Sequence, residues 1–229
     1  MIGIIGAMAV EIDAIKARIE ESATQTISGC AFVSGRLAGQ DVVAAQCGIG
    51  KVNAAVCAQT MILTYRPRLI INVGVGGSLN GALRYGDMAI ADRVVQHDFD
   101  VSSLGDPVGL VPTVNKIYFE CDPETVARIK AVADDMDGIT AMVGTIASGD
   151  QFVADGEVKA RIVRRFNAIC CEMEGGAIAQ ACLLGGVKCA VIRSVSDNAD
   201  DDSTADYGQF VQLAAARSAE ALCRLIETL

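Results

Sequence analysis

Hydrophobic residues occur along this chain in short runs, most of them closed by a glycine, a serine or an acidic residue. Many of these runs lead into a longer stretch with helical spacing. Strands that are buried on both faces read as continuous apolar runs, and their alternation with helices indicates parallel pairing. We therefore predict an α/β fold: a single domain over residues 1–229, with a central, mostly parallel mixed sheet flanked by helices on both faces.

The predicted strands lie in IGII, DVVAAQC, RLIINV, DMAIADRVVQ, TAMVGTIASG, NAICCEM and KCAVIRSVSD. Helical spacing predicts a first helix over AVEIDAIKARIEE, residues 9–21. A last helix is predicted from residue 207 to the C-terminus. Its apolar face is expected to carry Phe210, Leu213, Leu222, Leu225 and Ile226.

Composition narrows the possible partners of the protein. Hydrophobic residues make up 52% of the chain, enough for a large core, and the net charge is −9. Such a charge disfavours nucleic acid and acidic membrane surfaces as partners. The N-terminus is typical of a first strand rather than a signal peptide. The nine cysteines form no CxxC pair, so we expect free thiols in a cytoplasmic protein, with no metal and no cofactor.

Candidate site residues follow the predicted strands directly. Ligands of open α/β sheets bind beyond the carboxyl ends of the strands, so these residues are expected to converge. They are Met8 and Glu11, Ile49, Val75 to Gly77 (including Gly76), Gln151 to Val153 (including Phe152), Glu172 to Glu174 (including Met173), and Ser196 with Asp197. Separated carboxylates in one cleft suit acid/base chemistry.

The segment EMEGGAIA allows two interpretations. Glu172 and Glu174 point to the same side if both lie in a strand. If the chain leaves the strand between them, the following glycines let it turn, and Glu174 aims into the cleft. Alternatively, both acids cap the next helix, where negative charge meets the positive end of the helix dipole.

Other motifs carry weaker signals. GIGKVN and GVGGSL fit neither a dinucleotide fingerprint nor a P-loop, which leaves tight turns or a close backbone approach to a ligand. His97 has no nucleophile beside it in sequence, and we expect a hydrogen-bonded structural histidine. DNADDDSTAD lacks the spacing of a calcium loop and is expected to be a solvated loop.

Taken together, IGIIGAMAVEI, CGIGKVNAA, INVGVGGSL, YGDMAIAD, ASGDQFV, EMEGGAIA and RSVSDNAD resemble the 5′-methylthioadenosine/S-adenosylhomocysteine nucleosidases of the nucleoside phosphorylase/hydrolase superfamily. The similarity covers nearly the whole chain. It implies hydrolysis of the N-glycosidic bond between adenine and a 5′-thio-substituted ribose. It also implies a homodimer, for which the stretch 99–118 offers apolar residues.

The resemblance assigns roles to individual residues. Asp197, held by Ser196, protonates adenine; Glu11 activates the attacking water, with Arg193 near the water site; Glu174 binds the ribose hydroxyls. The implied contacts with adenine are Phe152 and the Val153 backbone, and Met173 contacts the sugar. The 5′-alkylthio group is bound by Met8, Ile49 and Tyr207. Val75 and Gly76 also belong to the substrate site, with Val75 near the sugar or the water. Val75 stands where many relatives carry serine, and Tyr207 where phenylalanine is common.

Two other functions stay open at this point. A nucleoside phosphorylase would use phosphate in place of water and would need cationic groups on the anion. Glu11 and Val75 stand where such groups would help, whereas Arg84 and Arg193 keep that alternative open. A non-catalytic nucleoside-binding module would not need Glu11 and Asp197 together. The sequence does not rank methylthioadenosine, S-adenosylhomocysteine, 5′-deoxyadenosine and aminofutalosine-type substrates.

Overall fold

A computed structural model describes all 229 residues as ten strands and six α-helices. The strands are Ile2–Gly6 (β1), Glu20–Ile27 (β2), Cys30–Leu37 (β3), Gln40–Gln46 (β4), Leu69–Ser78 (β5), Met88–Gln96 (β6), Tyr118–Glu120 (β7), Ala141–Ser148 (β8), Ala168–Glu172 (β9) and Lys188–Asp197 (β10). The helices are Ala9–Lys16 (α1), Lys51–Tyr65 (α2), Pro123–Asp134 (α3), Gly156–Phe166 (α4), Gly175–Gly185 (α5) and Ser203–Ile226 (α6).

All ten strands belong to one mixed sheet, part of which closes on itself. Parallel pairs join β1 to β4 and β5, β5 to β10, and β8 to β6 and β9. Antiparallel pairs of β10 with β6 and of β9 with β5 complete a ring of five strands. Helices α2 and α5 pack together, and α6 packs against α1 and α3. The predicted α/β fold is confirmed.

The core lies between the sheet and these helices. Every residue of β5 is buried, and all residues of β10 after Lys188 are buried, as expected for strands with helices on both faces. All nine cysteines are free and buried, so their thiols pack as small apolar groups. None of the helices has both the length and the apolar character that a bilayer crossing requires.

The first helix is shorter than predicted, and the hairpin that follows it was missed. Helix α1 ends at Lys16, and β2 begins at Glu20. Strands β2 and β3 then form a hairpin through Ser28 and Gly29, both with positive φ. Nearly all of β2 is exposed, so its residues show none of the apolar alternation by which a half-buried strand is recognised.

The last helix starts at Ser203, four residues before the predicted start. Leu222, Leu225 and Ile226 are buried, as predicted for its apolar face. Leu213 is 44% exposed, so its placement on that face was wrong.

Candidate active site

The carboxyl ends of the strands enclose a cavity of about 350 Å³. Every strand-end residue predicted from the sequence contributes to its wall, which agrees with the rule for open α/β sheets. The predicted site residues that line it are Met8, Glu11, Ile49, Val75, Gly76, Phe152, Val153, Met173, Glu174, Ser196, Asp197 and Tyr207. Arg193 is the one predicted site residue that does not line this cavity.

Glu11 is held by the backbone at the start of α1. Its Oε2 accepts hydrogen bonds from the N–H groups of Ala7 at 2.8 Å and Met8 at 2.9 Å. Its Oε1 accepts a third from the N–H of Val75 on β5, at 3.0 Å. A Cβ at Gly74 would lie 2.5 Å from Oε1, so this approach requires glycine. Three donors from two strand ends therefore fix the Glu11 carboxylate in the cavity wall.

The two acids of EMEGGAIA have different roles. Glu172 is the last residue of β9, and its Oε2 accepts from the N–H groups of Glu174 at 3.0 Å and Gly175 at 2.7 Å. These are free donors at the start of α5, so Glu172 caps that helix. The Ser148 hydroxyl and the Arg193 guanidinium also donate to its carboxylate. The capping interpretation is correct for Glu172.

Glu174 turns away from the helix it precedes. Its Oε1 accepts a hydrogen bond from the N–H of Gly50, 2.9 Å away at the start of α2. Burial, reinforced by the nearby Glu172 carboxylate, raises the pKa of Glu174 to about 7, although Arg193 opposes this. Glu174 is thus a buried carboxyl in the cavity wall that titrates near neutral pH.

Arg193 lies behind these acids rather than beside the cavity. Its side chain is fully buried and forms an ion pair with Glu172. Nη2 also donates to Oδ1 of Asn72 at 2.5 Å and lies 3.8 Å from Oε2 of Glu174. Because the guanidinium is engaged by these partners, it supports the acidic wall and does not reach the cavity itself. This differs from the expectation of an arginine at the water site.

Asp197 ends β10 and is oriented by its neighbours. Its Oδ1 accepts from the N–H of Ala199, and its Oδ2 accepts from the Ser196 hydroxyl, both at 2.9 Å. Burial raises the pKa of Asp197, and these hydrogen bonds oppose the rise. A Cβ at Gly77 would lie 2.7 Å from Oδ1, so the glycines of GVGGSL permit close approach of the backbone to this acid.

The opposite side of the cavity is apolar and partly open. The rings of Phe152 and Tyr207 meet edge to face, with centroids 5.7 Å apart. The Tyr207 hydroxyl donates to Sδ of Met8 at 3.1 Å. Phe152 and Ile49 are 47% and 54% exposed, so this rim is accessible to solvent in the single chain.

His97 lies outside the cavity, as expected for a structural histidine. Its ring is buried outside the cavity, and burial lowers its pKa. Nε2 has no hydrogen-bond partner, because this edge of the ring packs against Gly149, where any Cβ would collide with it. The expected hydrogen bond is therefore not made at Nε2.

Sequence reasoning missed the polar residues that support the acids from behind. Asn72 binds Arg193, and Ser148 bridges Glu172 to the N–H of Gly176 at 2.6 Å. A lone asparagine inside the apolar run LIINV was the available signal for Asn72, since a buried amide needs partners. Ser148 closes an apolar run like many other serines, so its position alone gave no such signal.

Comparisons with known proteins agree with this geometry. The family model described as "Phosphorylase superfamily" matches residues 1–227. The 5′-methylthioadenosine/S-adenosylhomocysteine nucleosidase of Geobacillus thermodenitrificans is 39% identical over 224 residues, covering 97% of this chain and 94% of the relative. The Neisseria meningitidis nucleosidase, solved with methylthio-immucillin-A, has a TM-score of 0.96 at 34% identity, with 100% and 99% coverage.

A futalosine hydrolase of Helicobacter pylori superposes equally well, with a TM-score of 0.95 at 35% identity, and covers 100% of this chain and 97% of its own. Nearly the whole length of the chain is thus shared with these proteins. The chain belongs to the 5′-methylthioadenosine/S-adenosylhomocysteine nucleosidase family of the phosphorylase superfamily.

Proposed function

We propose that this protein hydrolyses the N-glycosidic bond of 5′-methylthioadenosine and S-adenosylhomocysteine, releasing adenine and the 5-thio-substituted ribose. The observation that carries the proposal is the presence of Glu11 and Asp197 in one cavity, each fixed by backbone donors from a different strand end. Relatives along the full length bear this nucleosidase name, and one was solved with methylthio-immucillin-A.

Asp197 acts as the general acid. Adenine is a poor leaving group until a ring nitrogen takes up a proton as the bond breaks. Burial raises the pKa of Asp197, which favours the protonated form that this step requires. Ser196 and the N–H of Ala199 fix the orientation of its carboxyl group.

Glu11 orients and deprotonates the attacking water. A carboxylate offers about four lone-pair positions, and three of those of Glu11 are occupied by N–H donors. The remaining position can accept a hydrogen bond from a water in the cavity. As the ribose gains oxocarbenium character, a nearby carboxylate also stabilises the developing positive charge.

The other lining residues bind the substrate. Glu174 accepts hydrogen bonds from the ribose hydroxyls, while the exposed ring of Phe152 stacks on adenine. The remaining proposed contacts are the Val153 backbone with the edge of adenine, Met173 with the sugar face, Val75 and Gly76 beside the sugar, and Met8, Ile49 and Tyr207 with the 5′-alkylthio group.

The charge of the cavity favours water over phosphate as the nucleophile. Its wall contains Glu11, Glu172, Glu174 and Asp197 and includes no lysine, arginine or histidine. An incoming phosphate dianion would meet these acids without a cation, which is unfavourable in a partly buried site. Arg193 is engaged behind the wall and does not offset them. Arg193 therefore gives no support to the phosphorylase alternative, which the sequence had left open.

We further infer that the protein works as a homodimer, in the cytoplasm, in methionine salvage. The apolar rim of the cavity continues onto α2, where Val52 and Leu63 are 74% and 69% exposed. Leu104, in the stretch 99–118, is 82% exposed, whereas Val111 is buried and belongs to the core. Exposed apolar patches of this kind are typical of interfaces, and a partner seated there would close the rim.

The experiment measures adenine release from 5′-methylthioadenosine in phosphate-free buffer, then with phosphate added. The expected result is fast release without phosphate and no stimulation by it. Release that depends on phosphate would identify a phosphorylase instead. Tight adenine binding with no release from any of the candidate nucleosides would identify a binding module. Parallel assays with S-adenosylhomocysteine, 5′-deoxyadenosine and aminofutalosine rank the substrates.

A further inference from the structure

Lys159 reaches from α4 to the backbone beside Asp197. Its Nζ donates a hydrogen bond to the carbonyl oxygen of Asn198, the residue that follows Asp197 directly. Lys159 does not line the cavity. Helix α4 begins just after the segment that carries Phe152 and Val153, so this lysine connects the two parts of the chain between which adenine is proposed to bind.

This contact involves the same peptide unit that orients Asp197. The carbonyl of Asn198 and the N–H of Ala199 belong to one peptide group, which is planar. The carbonyl accepts from Lys159, and the N–H donates to Oδ1 of Asp197 at 2.9 Å. Fixing the oxygen therefore fixes the direction of the N–H. A cation at the oxygen also polarises the group and strengthens the N–H as a donor.

The backbone at this point needs such a restraint. Ala199 has φ of 52°, in the left-handed region that residues other than glycine rarely adopt and that persists only when surrounding contacts hold it. Asn198 is held a second time through its side chain, whose Nδ2 donates to the Tyr85 hydroxyl at 2.7 Å. Tyr85 in turn donates to Asp206 at the start of α6, at 2.7 Å.

We propose that Lys159 is a positioning residue for the general acid: it sets the orientation of the Asn198–Ala199 peptide and, through it, that of the Asp197 carboxyl group. The catalytic part of this inference rests on the proposed function, whereas its geometric part can be tested without any assay of activity.

Several other groups face Asp197 and also influence its pKa. They are Ser196 on its own strand, Ser203, Asp206 and Tyr207 on α6, and Cys170 and Cys171 on β9. Burial raises the pKa of Asp197, as does the Asp206 carboxylate, while the N–H of Ala199 lowers it. Without Lys159 this N–H is released, so the pKa of Asp197 rises further. The loss of activity at high pH, where the acid is deprotonated, then shifts to higher pH.

The test compares Lys159→Met, which keeps the length of the side chain without its charge, with Lys159→Arg, which restores a cationic donor. Lys130→Met is the matched control, because Lys130 pairs only with the exposed Asp134 on α3.

kcat and KM are measured across roughly pH 5 to 9. In Lys159→Met we expect kcat to fall about 10- to 100-fold with little change in KM, because the acid is misaligned. We also expect the high-pH limb to shift upward. Lys159→Arg should recover most of the rate, and Lys130→Met should match wild type.

A second readout is the titration of the Asp197 carboxyl followed by carbon NMR. A higher pKa in Lys159→Met than in wild type supports the inference, whether or not adenine is released. Unchanged kcat and an unchanged high-pH limb would overturn it. A lower melting temperature together with an unchanged Asp197 titration would also overturn it, because Lys159 would then be merely structural. Wild-type protein that releases no adenine contradicts the proposed function instead.

Discussion

The carboxylate of Glu174 accepts a hydrogen bond from the N–H of Gly50 over 2.9 Å, joining residues 124 positions apart. This contact connects the end of β9 to the start of α2 at the wall of the cavity. It holds an acid whose pKa is about 7 in the folded protein, against an ordinary value of 4.5. Glu174 is therefore expected to make the stability of the protein depend on pH between about 4.5 and about 7.

Glu174 should make the protein less stable as the pH rises from about 4.5 to about 7. In this range the folded state holds a proton that the unfolded state has lost, so the free energy of unfolding falls with increasing pH. The stabilisation is complete below 4.5 and is lost as the pH passes the folded pKa. In Glu174→Gln, urea titrations should show a shallower decline of the free energy of unfolding with increasing pH. Glu157→Gln, at an exposed glutamate, is the control; equal slopes in all three proteins would contradict this assignment.

Gly74→Ala should impair catalysis by displacing Glu11. The added Cβ would stand 2.5 Å from Oε1 of Glu11, so the carboxylate must move out of its three hydrogen bonds. We expect kcat to fall about 10- to 100-fold, as for other small misplacements of a catalytic group. Gly81→Ala is the matched control, because a Cβ there meets nothing within 4 Å. If both variants keep wild-type kcat, Glu11 does not depend on its fixed position.

Asp197→Asn should abolish most adenine release, because an amide cannot deliver the proton to the leaving base. General acid catalysis is worth about 10²- to 10⁴-fold, and we expect a loss of that size in kcat at unchanged nucleoside affinity. Asp201→Asn, at an exposed position in the same loop, should behave as wild type. Single-turnover assays with 5′-methylthioadenosine measure the difference. Near-normal turnover in Asp197→Asn would assign the acid to another group.

Phe152→Ala should weaken substrate binding more than it slows the reaction. The ring is 47% exposed at the rim and is available to stack on adenine. Stacking of a base on an aromatic side chain is worth about 1–3 kcal/mol, which corresponds to a rise in KM of roughly 5- to 150-fold. Phe152→Tyr keeps the ring and should retain the wild-type KM. An unchanged KM in Phe152→Ala would show that the ring does not contact the base.

Val52→Asp should separate the proposed dimer and reduce adenine release. Val52 is 74% exposed on α2, close in sequence to Ile49 at the open rim of the cavity. A charge at the centre of an apolar interface is strongly unfavourable, so the variant should sediment as a monomer. Leu213→Asp, on α6 in the other helical layer, should keep the wild-type mass. A wild-type protein that is already monomeric in analytical ultracentrifugation would contradict the proposed assembly.

Much of the fold and most of the site were predicted from the sequence, because both depend on local patterns. A strand buried on both faces is a continuous apolar run, and the residue after it must lie at the carboxyl edge of the sheet. This is why Glu11, Phe152 and Asp197 were placed in one cleft although they are far apart in the chain. The exposed strand β2 was missed for the same reason, since it lacks such a pattern.

The contacts that give chemically identical residues different surroundings form only in the tertiary structure. Glu172 and Glu174 are two positions apart, yet the first caps α5 and the second reaches Gly50. Arg193 lies behind the cavity wall because its partners, Glu172 and Asn72, come from other strands. Local patterns of apolar residues were enough to place these residues at the edge of the sheet. Which of them face the cavity depends on hydrogen bonds between distant segments, and these form only when the sheet closes.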